Sequence, residues 1–330
     1  MKTKVAVIGS NSFSGSDFID LLLEEGDYQV KGISRSPEKS PLFLPYKKRN
    51  SADYEFHQHD LNKNMPEIIA LLDSFEPEYI VNFAAQSEVA PSWDNPEQWY
   101  ETNVVSLAKL TQALKDREYL RRYVHISSPE VYGSCEGVIR EDAVMNPSTP
   151  YAASKAAADL HLLTLLKNYR FPLIMIRSTN VYGAHQQLWK IIPRTAIYVK
   201  SGKKLQIHGG GVAVKSFIHI SDISKGELSA MLRGDEGSLY HLSPERGYSV
   251  IEVIKMICEN MSVSLDEVTE IVEERPGQDR AYIIDSSKAR SELEWQPEVN
   301  IEAGVEEVIG WVESNWNEIE KSSLEYVHKA

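Results

Sequence analysis

The sequence predicts an α/β protein in which a doubly wound parallel sheet is followed by a smaller C-terminal lobe. Three observations support this fold class. Short apolar runs alternate with amphipathic segments through the first half, a glycine ends the first apolar run, and the alternation fades beyond about residue 180. Apolar runs separated by helical segments are typical of parallel strands covered on both faces. A length of 330 residues also exceeds what one hydrophobic core usually organises.

The elements follow one another in strand–helix order. The predicted strands are KVAVIG (4–9), YQVKGISR (28–35), EYIVNFAA (78–85), YVHISS (123–128) and PLIMIRSTNVYG (172–183). The predicted helices are GSDFIDLLLEEG (15–26), WYETNVVSLAKLTQALKD (99–116), TPYAASKAAADLHLLTLLKNY (149–169) and an amphipathic helix within 299–322. We place the domain boundary near 180, so that residues 1–180 form the first domain, part of 212–242 returns to it, and 181–330 form the second lobe.

Composition and charge narrow the possible functions. The chain is 42% hydrophobic and 25% charged, which is ordinary for a globular protein. A net charge of -13 argues against sequence-independent binding to nucleic acid, because that binding needs a positive surface. No run approaches the roughly 20 apolar residues that span a bilayer, and no secretory signal is evident, so we expect a cytoplasmic protein without membrane contact. Cys135 and Cys258 have no metal-ligand spacing, which fits a reducing compartment and no metal site.

The stretch VIGSNSFSG (7–15) has the form of a phosphate-binding turn. Gly9 directly follows the first strand and Gly15 opens the first helix, whose N-terminal amides would face a pyrophosphate. The spacing is G-x-x-S-x-x-G, with Ser12 where a middle glycine is common, and a turn without a ligand remains the alternative. We expect a Rossmann-type dinucleotide site at Gly9, Asn11, Ser12, Phe13, Ser14 and Gly15.

The end of the second strand bears on the choice of dinucleotide. Enzymes that bind NAD usually carry an acid there for the ribose 2′-hydroxyl, but this chain reads GISRSP, with Ser34 and Arg35 and no carboxylate. A guanidinium at this point would pair with a 2′-phosphate, so NADP is favoured over the reading of Arg35 as a surface cation. Asp60 and Leu61 follow the third strand and suit an adenine pocket, although Asp60 could instead cap a helix.

The stretch YAASK places Tyr151 and Lys155 four residues apart on one face of a helix. An ammonium beside a phenol favours the phenolate and lowers its pKa, which suits a base that removes a hydroxyl proton near neutral pH. The spacing alone also occurs by chance in many helices. Its position after a dinucleotide turn and after a strand ending in Ser127 favours a catalytic role.

These features occur in the order shown by the extended short-chain dehydrogenase/reductase family, which the chain resembles over essentially its whole length. The likeness is greatest to nucleotide-sugar 4,6-dehydratases. It is carried by NFAAQSEV (82–89), TN (102–103), SSPEVYG (127–133), PYAASK (150–155), RSTNVYG (177–183) and RPGQDRAYIIDSSKARSELEWQP (275–297). The last resembles the R-P-G-H-D signature of dTDP-glucose 4,6-dehydratases, with Gln278 replacing histidine. AAQSEV and GISRS look more like the GDP-mannose branch, which uses NADP.

The resemblance implies a tightly bound NADP or NAD that takes a hydride from sugar C4 and returns it to C6 after water is lost across C5 and C6. Tyr151 would then be the base toward the 4-hydroxyl. Lys155 would tune it and contact the nicotinamide ribose, and Ser127 or Ser128 would hydrogen-bond the 4-hydroxyl. The matching segments also place Ala84, Ala85 and Asn103 at the cofactor.

The triplet Ser128–Pro129–Glu130 departs from the T-D-E triplet of dTDP-glucose dehydratases. Proline cannot act as the general acid that the aspartate provides, but the GDP-mannose branch, with serine there, shows that the aspartate is not required. We therefore expect Glu130 to remove the C5 proton and deliver it to the departing hydroxyl. The alternative is that Glu130 is a helix-cap or surface acid. Proline should also hold Ser128 in extended geometry.

The resemblance also implies a substrate-binding set. Lys215 aligns with the arginine of the family's R-D-W motif, and Arg275 matches its diphosphate-binding arginine. Lysine offers a point charge rather than a bidentate fork. The full set is Ser87, Glu88, Asn180, Lys190, Lys215 and Arg275.

The expected substrate is a GDP-, UDP- or dTDP-linked hexose or N-acetylhexosamine, and the expected assembly is a homodimer built through the helices near 97–116 and 151–169. Bacterial glycan synthesis would suit such an enzyme. Nucleotide-sugar 4-epimerases and uronate decarboxylases share the fold, tyrosine and lysine, and remain alternatives. A catalytically inactive dinucleotide-binding sensor is a further alternative, and Pro129 would then indicate that catalytic activity has been lost.

Overall fold

The computed structural model describes residues 2–134, 137–273 and 283–329. The strands are, in chain order, β1 (Thr3–Ile8), β2 (Tyr28–Ser34), β3 (Tyr54–Gln58), β4 (Tyr79–Asn82), β5 (Arg122–Ile126), β6 (Val138–Ile139), β7 (Leu173–Ser178), β8 (Asn180–Tyr182), β9 (Leu205–His208), β10 (Val214–Lys215), β11 (Phe217–His219), β12 (Leu239–Leu242), β13 (Tyr248–Ser249), β14 (Thr269–Val272) and β15 (Ile283–Ile284). The α-helices are α1 (Phe13–Glu25), α2 (Met65–Phe75), α3 (Pro96–Tyr100), α4 (Leu107–Leu114), α5 (Pro150–Tyr169), α6 (Ile191–Ser201), α7 (Ile220–Arg233), α8 (Val250–Asn260), α9 (Leu265–Val268), α10 (Ser287–Glu292), α11 (Ile301–Ser314) and α12 (Trp316–Ile319).

Seven of these strands form one parallel sheet in the order β3-β2-β1-β4-β5-β7-β12, which confirms the predicted doubly wound fold. Strand β1 is buried on both faces, as its continuous apolar sequence predicts. Val5 and Val7 pack toward α1 and α7, whereas Ala6 and Ile8 pack in the core formed with α2, α4 and α5.

The sheet has its topological switch point at β1, which pairs with β2 on one side and with β4 on the other. Chain connections leave in opposite directions at such a point, so a crevice opens at the carboxyl ends of the strands. The turn after β1, the end of β4 and the end of β2 therefore meet at one edge of the sheet. This edge positions the site described below.

The predicted strand 172–183 is divided into β7 and β8, which pair in different sheets. The backbone N–H of Thr179 still donates to the carbonyl of Leu242 in β12, but the N–H of Asn180 donates to the carbonyl of Ser216, just before β11. The chain changes partners at this point, and hydrophobic periodicity gives no signal for such a change. The helix predicted at 99–116 is observed as α3, a π-helical turn (Glu101–Ser106) and α4 in sequence.

The second lobe has its own hydrophobic core, in which residues of α6, α8 and α11 pack together. A second small core lies beneath the parallel pair β9 and β14. Helix α7 and strand β12 come after residue 181 but pack with the first domain, α7 on α1 and β12 at the edge of the large sheet. Within the described ranges, no helix combines the length and apolarity needed to cross a bilayer.

Candidate active site

The turn after β1 forms a close-packed cradle at the switch point. Gly9 has φ = 89°, and a Cβ there would lie 2.7 Å from the backbone nitrogen of Ala84 at the end of β4. A Cβ on Gly15 would lie 2.5 Å from the carbonyl oxygen of Gly9. Neither position accepts a side chain without displacing backbone. The spacing of these glycines is therefore a requirement of the turn.

Ser12 occupies the middle position of the turn without strain. Its φ of -74° is ordinary for any residue, and its Oγ caps α1 by accepting a hydrogen bond from the N–H of Gly15 at 3.0 Å. Asn11 ties the turn to the loop after β2, because its Nδ2 donates to the carbonyls of Ser36 and Pro37. Among the described residues, the buried Oδ1 of Asn11 has no hydrogen-bond partner. An amide oxygen without a donor could accept a hydrogen bond from a hydroxyl or amino group of a bound dinucleotide.

A cavity of about 440 Å³ extends from this turn along the carboxyl ends of β2 and β4. Nine of the predicted cofactor residues line it: Gly9, Asn11, Ser12, Ser34, Arg35, Asp60, Leu61, Ala84 and Ala85. Phe13, Ser14 and Gly15 lie instead in the first turn of α1, where Phe13 and Gly15 are buried. The cavity is also lined by Tyr326, Val327 and Lys329, which sequence reasoning missed.

Asn103 is not among the residues that line this cavity. Its Oδ1 accepts from the backbone N–H of Gln86 at 2.8 Å, and its Nδ2 donates to the carbonyl of Gln86 and to the Oγ of Ser154. These bonds fix the loop after β4 against α5. Asn103 therefore positions the wall of the cavity rather than reaching into it.

Tyr151 and Lys155 lie on the buried side of α5, which Thr149 caps by accepting from the N–H of Ala152. Neither side chain lines the cavity. Lys155 Nζ donates to the carbonyl of Ile126 at the end of β5, at 2.8 Å. Burial lowers the pKa of Lys155 to about 8, with Asp159 opposing that fall and Arg177 adding to it. The lysine is thus held at the carboxyl end of β5, beside the switch point.

The pKa of Tyr151 is raised, which is opposite to the direction that an adjacent ammonium alone would give. Burial is the largest cause, and the negative charge of Glu130 adds to it, whereas a hydrogen bond with Ser128 opposes it. Lys155 is engaged by the Ile126 carbonyl. Tyr151, Ser128 and Glu130 therefore form one interacting group, and this phenol needs a further positive charge to ionise near neutral pH.

The two candidate serines face different partners. Ser127 Oγ donates to Asp159 Oδ2 at 2.7 Å, so it is directed into the protein interior. Ser128 has extended backbone geometry (φ -146°, ψ 140°), which confirms the constraint expected from Pro129. Its Oγ accepts from the N–H of Glu130 and interacts with Tyr151. Pro129 is the first residue of a short 3₁₀ turn (Pro129–Tyr132), where a missing N–H costs nothing.

A buried ionic network lies behind Lys155 and was not anticipated from the sequence. Asp159 has no exposed surface and accepts from Arg177 Nη2 at 2.7 Å. The Arg177 guanidinium lies 4.6 Å from the ring centre of Tyr132, whose hydroxyl meets His241 Nε2 at 2.7 Å. The only sequence signal was Asp159 itself, four residues after Lys155 on the same helix face.

The predicted substrate residues are only partly brought together. Lys190 Nζ and Glu88 Oε1 form an ion pair at 2.7 Å, so two candidates from separate segments meet. Asn180 lies in β8, where its Nδ2 contacts the Ser216 carbonyl at 3.4 Å, and Lys215 lies in β10. Ser87 is exposed. Arg275 and Gln278, with the RPGQD stretch, lie outside the described residues.

A tyrosine–lysine helix beside the switch point of a sheet with a dinucleotide cradle is the arrangement of an extended short-chain dehydrogenase/reductase. The particular family follows from comparison with known sequences. The family model described as GDP-mannose 4,6 dehydratase matches residues 7–308. The chain belongs to this family.

The relatives and solved structures that the chain resembles include 4,6-dehydratases and a 4-epimerase. The chain is 30% identical to dTDP-D-glucose 4,6-dehydratase from Mus musculus over 97% of this chain and 92% of that protein. It spans about half (49%) of a trifunctional UDP-glucose 4,6-dehydratase from Arabidopsis thaliana, at 27% identity. The structure of dTDP-glucose 4,6-dehydratase DesIV from Streptomyces venezuelae, with NAD and TYD bound, is similar with a TM-score of 0.88, 27% identity and coverage of 96% and 98%. A UDP-glucuronic acid 4-epimerase from Bacillus cereus shares the fold, at 24% identity and a TM-score of 0.87, with coverage of 94% and 99%.

Proposed function

We propose that this protein is a nucleotide-sugar 4,6-dehydratase that converts a nucleoside-diphosphate hexose into its 4-keto-6-deoxy derivative. The observation that carries the proposal is that Glu130, whose N–H donates to Ser128 Oγ, lies close enough to Tyr151 for its negative charge to raise the pKa of that phenol. Oxidation at C4 alone needs a base such as Tyr151 and a cofactor. An additional carboxylate next to that base supplies what elimination requires, a group that can take the C5 proton.

The nicotinamide supplies hydride acceptance from C4 and hydride return to C6. Within the protein, Tyr151 takes the proton of the 4-hydroxyl, and Ser128 orients that hydroxyl through the same hydrogen-bonded group. Ionisation of Tyr151 needs a positive charge that opposes burial and the charge of Glu130, and a bound oxidised nicotinamide would supply one. Because Ser127 is bonded to Asp159, Ser128 is the serine that we assign to the sugar.

Glu130 takes the C5 proton once C4 is a ketone, and it delivers this proton to the C6 hydroxyl as water leaves. When the hydride returns to C6, C5 takes up one proton. This proton equals in number the one that Tyr151 removed from the 4-hydroxyl, so the protein gains and loses no net proton. Pro129 contributes no proton and keeps Ser128 extended. We expect Pro129→Asp not to speed elimination; a faster variant, measured by product formation, would contradict the assignment of both proton transfers to Glu130.

The cofactor that we propose is NADP, because Arg35 follows β2 where NAD-dependent enzymes usually carry an acid. NAD, which is bound in the DesIV structure, is the alternative. Identifying the nucleotide released from the denatured protein by mass spectrometry decides between them. The nucleotide and sugar of the substrate are proposed only as a GDP-, UDP- or dTDP-linked hexose or N-acetylhexosamine, with Asn180, Lys190, Lys215 and Arg275 as candidates for the diphosphate.

We also propose a homodimer built through the outer faces of two neighbouring helical segments. Tyr100 and Val105 are 40% and 39% exposed on the α3–α4 segment, and Leu160 is 54% exposed on α5. The two segments are in contact through Asn103 and Ser154. Large apolar side chains exposed on two neighbouring segments are typical of a protein interface.

The decisive experiment incubates the purified protein with GDP-, UDP-, dTDP- and CDP-hexoses and follows the product by mass. Loss of one water, with a 4-keto product, supports the proposal. Tyr151→Phe should remove this activity, whereas Tyr169→Phe, a matched change at the exposed far end of the same helix, should not. An isomer of unchanged mass would indicate a 4-epimerase, loss of carbon dioxide from a uronate would indicate a decarboxylase, and no product with retained dinucleotide would indicate a sensor.

A further inference from the structure

The cavity at the switch point is closed on one side by a segment from the far end of the sequence. Residues 323–329 pass across it, and Ser323, Glu325, Tyr326, Val327 and Lys329 belong to its lining. We call residues 323–329 the strap. The strap and the turn after β1 line the same cavity, so a dinucleotide held by that turn would contact the strap.

Contacts on both lobes hold the strap in place. On the second-lobe side, Tyr326 packs edge-on against Trp189, with ring centres 5.7 Å apart. On the first-domain side, His328 stacks on Trp99 at 5.1 Å, with the ring planes within 9° of parallel. His328 Nε2 also lies 2.6 Å from Gln98 Oε1. Aromatic stacking and a short hydrogen bond give the strap a defined path rather than a loose one.

The last residue of the strap, Lys329, contacts Arg35, the residue that the sequence predicted to select the cofactor. The carbonyl oxygen of Lys329 accepts a hydrogen bond from Arg35 Nη2 at 3.1 Å and another from Gln86 Nε2 at 2.7 Å. Arg35 follows β2 and Gln86 follows β4. The strap thus joins the ends of β2 and β4 at the carboxyl edge of the sheet, where dinucleotides bind in this fold.

Three cations converge at the same place. Arg35, Lys39 and Lys329 all line the cavity, although they come from two segments nearly 300 residues apart. Burial is the largest cause that lowers the pKa of Lys39, and the positive charge of Lys329 is the second. The ammonium groups of Lys39 and Lys329 therefore repel each other. The lining also contains two carboxylates, Asp60, whose Oδ1 accepts from the N–H of Asn62 in its own turn, and Glu325 of the strap. A doubly negative group would offset the repulsion between the cations.

We propose that the strap closes over a bound dinucleotide and that Lys329, with Arg35 and Lys39, receives the 2′-phosphate of NADP. This inference rests on the proposed function in one respect, that the cavity holds a nicotinamide dinucleotide. It adds a specificity-determining residue that lies outside the turn after β1 and outside β2. It also predicts slow exchange of the cofactor, because the strap would have to detach from both lobes before the dinucleotide leaves.

The test measures the rate at which NADP and NAD leave the loaded protein, with a large excess of competing dinucleotide added to prevent rebinding. Lys329→Ala should speed NADP release by about tenfold, because a charge-assisted contact is lost, and should leave NAD release nearly unchanged. Tyr326→Ala should speed the release of both dinucleotides by loosening the strap. Lys321→Ala is the matched control, an exposed lysine just before the strap, and should change neither rate.

The outcomes separate the strap from the proposed function. Equal effects of Lys329→Ala on NADP and NAD, or no effect on NADP, would overturn the 2′-phosphate assignment. Unchanged release after Tyr326→Ala, together with hydrogen exchange in 323–329 that NADP does not slow, would overturn the closure. Wild-type protein that binds neither dinucleotide would instead reject the proposed function, and with it the premise of this inference.

Discussion

Replacing Asp17 by asparagine should stabilise the protein at neutral pH. Asp17 lies on α1 against α7, where Ser224 Oγ donates to its Oδ2 at 2.6 Å. Burial raises the pKa of Asp17 from 3.8 to about 6, and the hydrogen bond from Ser224 opposes that rise. Nearby Glu227 is fully buried, and in the described part of the chain its two carboxylate oxygens have no hydrogen-bond partner. Burial raises the pKa of Glu227 well above its usual range, and the negative charge of Asp17 adds to this rise.

The direction in which pH changes the stability follows from proton linkage. An acid whose pKa is higher in the folded state binds protons more tightly when folded, so its contribution to stability is lost as pH rises from 3.8 toward 6. The difference between these two values corresponds to about 3 kcal/mol of lost stability at pH 7 and about half of that at pH 5. Asparagine keeps an amide oxygen that can accept from Ser224, so most of this loss should be recovered.

Urea unfolding at pH 5 and pH 7.5 checks this expectation. The free energy of unfolding of Asp17→Asn should exceed that of the wild type at both values, and by about 1 to 2 kcal/mol more at pH 7.5. Glu25→Gln, an exposed acid on the same helix, is the control and should show little dependence of this kind. A gain that is the same at both pH values, or a loss at pH 7.5, would refute the reasoning.

Three further predictions concern the site and the assembly. Glu130→Gln should slow release of the 4-keto-6-deoxy product by about 10²- to 10⁴-fold while C4 oxidation, followed by nicotinamide absorbance, persists. Asp159→Asn should lower the pKa of Lys155 below about 8, because the negative charge that opposes its fall is lost, and should move the alkaline limb of the kcat profile to lower pH. It should also destabilise the fold by about 3 to 5 kcal/mol in urea, because Arg177 stays buried without its partner. Leu160→Arg should shift the protein to monomers in sedimentation, because a charge would enter the proposed apolar contact.

Each of these has a control and a contradicting result. Glu141→Gln, a partly buried acid in contact with His241, should leave the product unchanged, and equal loss of oxidation and elimination in Glu130→Gln would contradict the division of roles. Removing both charges with Asp159→Asn and Arg177→Met should recover part of the stability, and a full additive loss would contradict the pairing. A Leu160→Arg protein that keeps the mass of the wild-type assembly would rule out α5 as the interface.

Short-range features of the chain made much of the site predictable. Gly9 and Gly15 are required by contacts within one turn and its neighbouring strand end. Tyr151 and Lys155 share a helix face because four residues nearly complete one helical turn. The restriction of Ser128 by Pro129 acts between adjacent residues. Such features are set by local geometry, so sequence spacing is enough to identify them.

Features that depend on distant segments were decided only in the folded protein. The sequence did not distinguish Ser127 from Ser128, because Asp159, which accepts from Ser127, lies 32 residues away. Nor did it foresee the hydrogen bond between Arg35 and Lys329, whose positions are 294 residues apart. Local periodicity establishes which residues form strands, helices and turns, and that much this sequence determined by itself. Which of those elements face one another depends on how the two lobes pack, and packing joins side chains whose separation along the chain carries no signal.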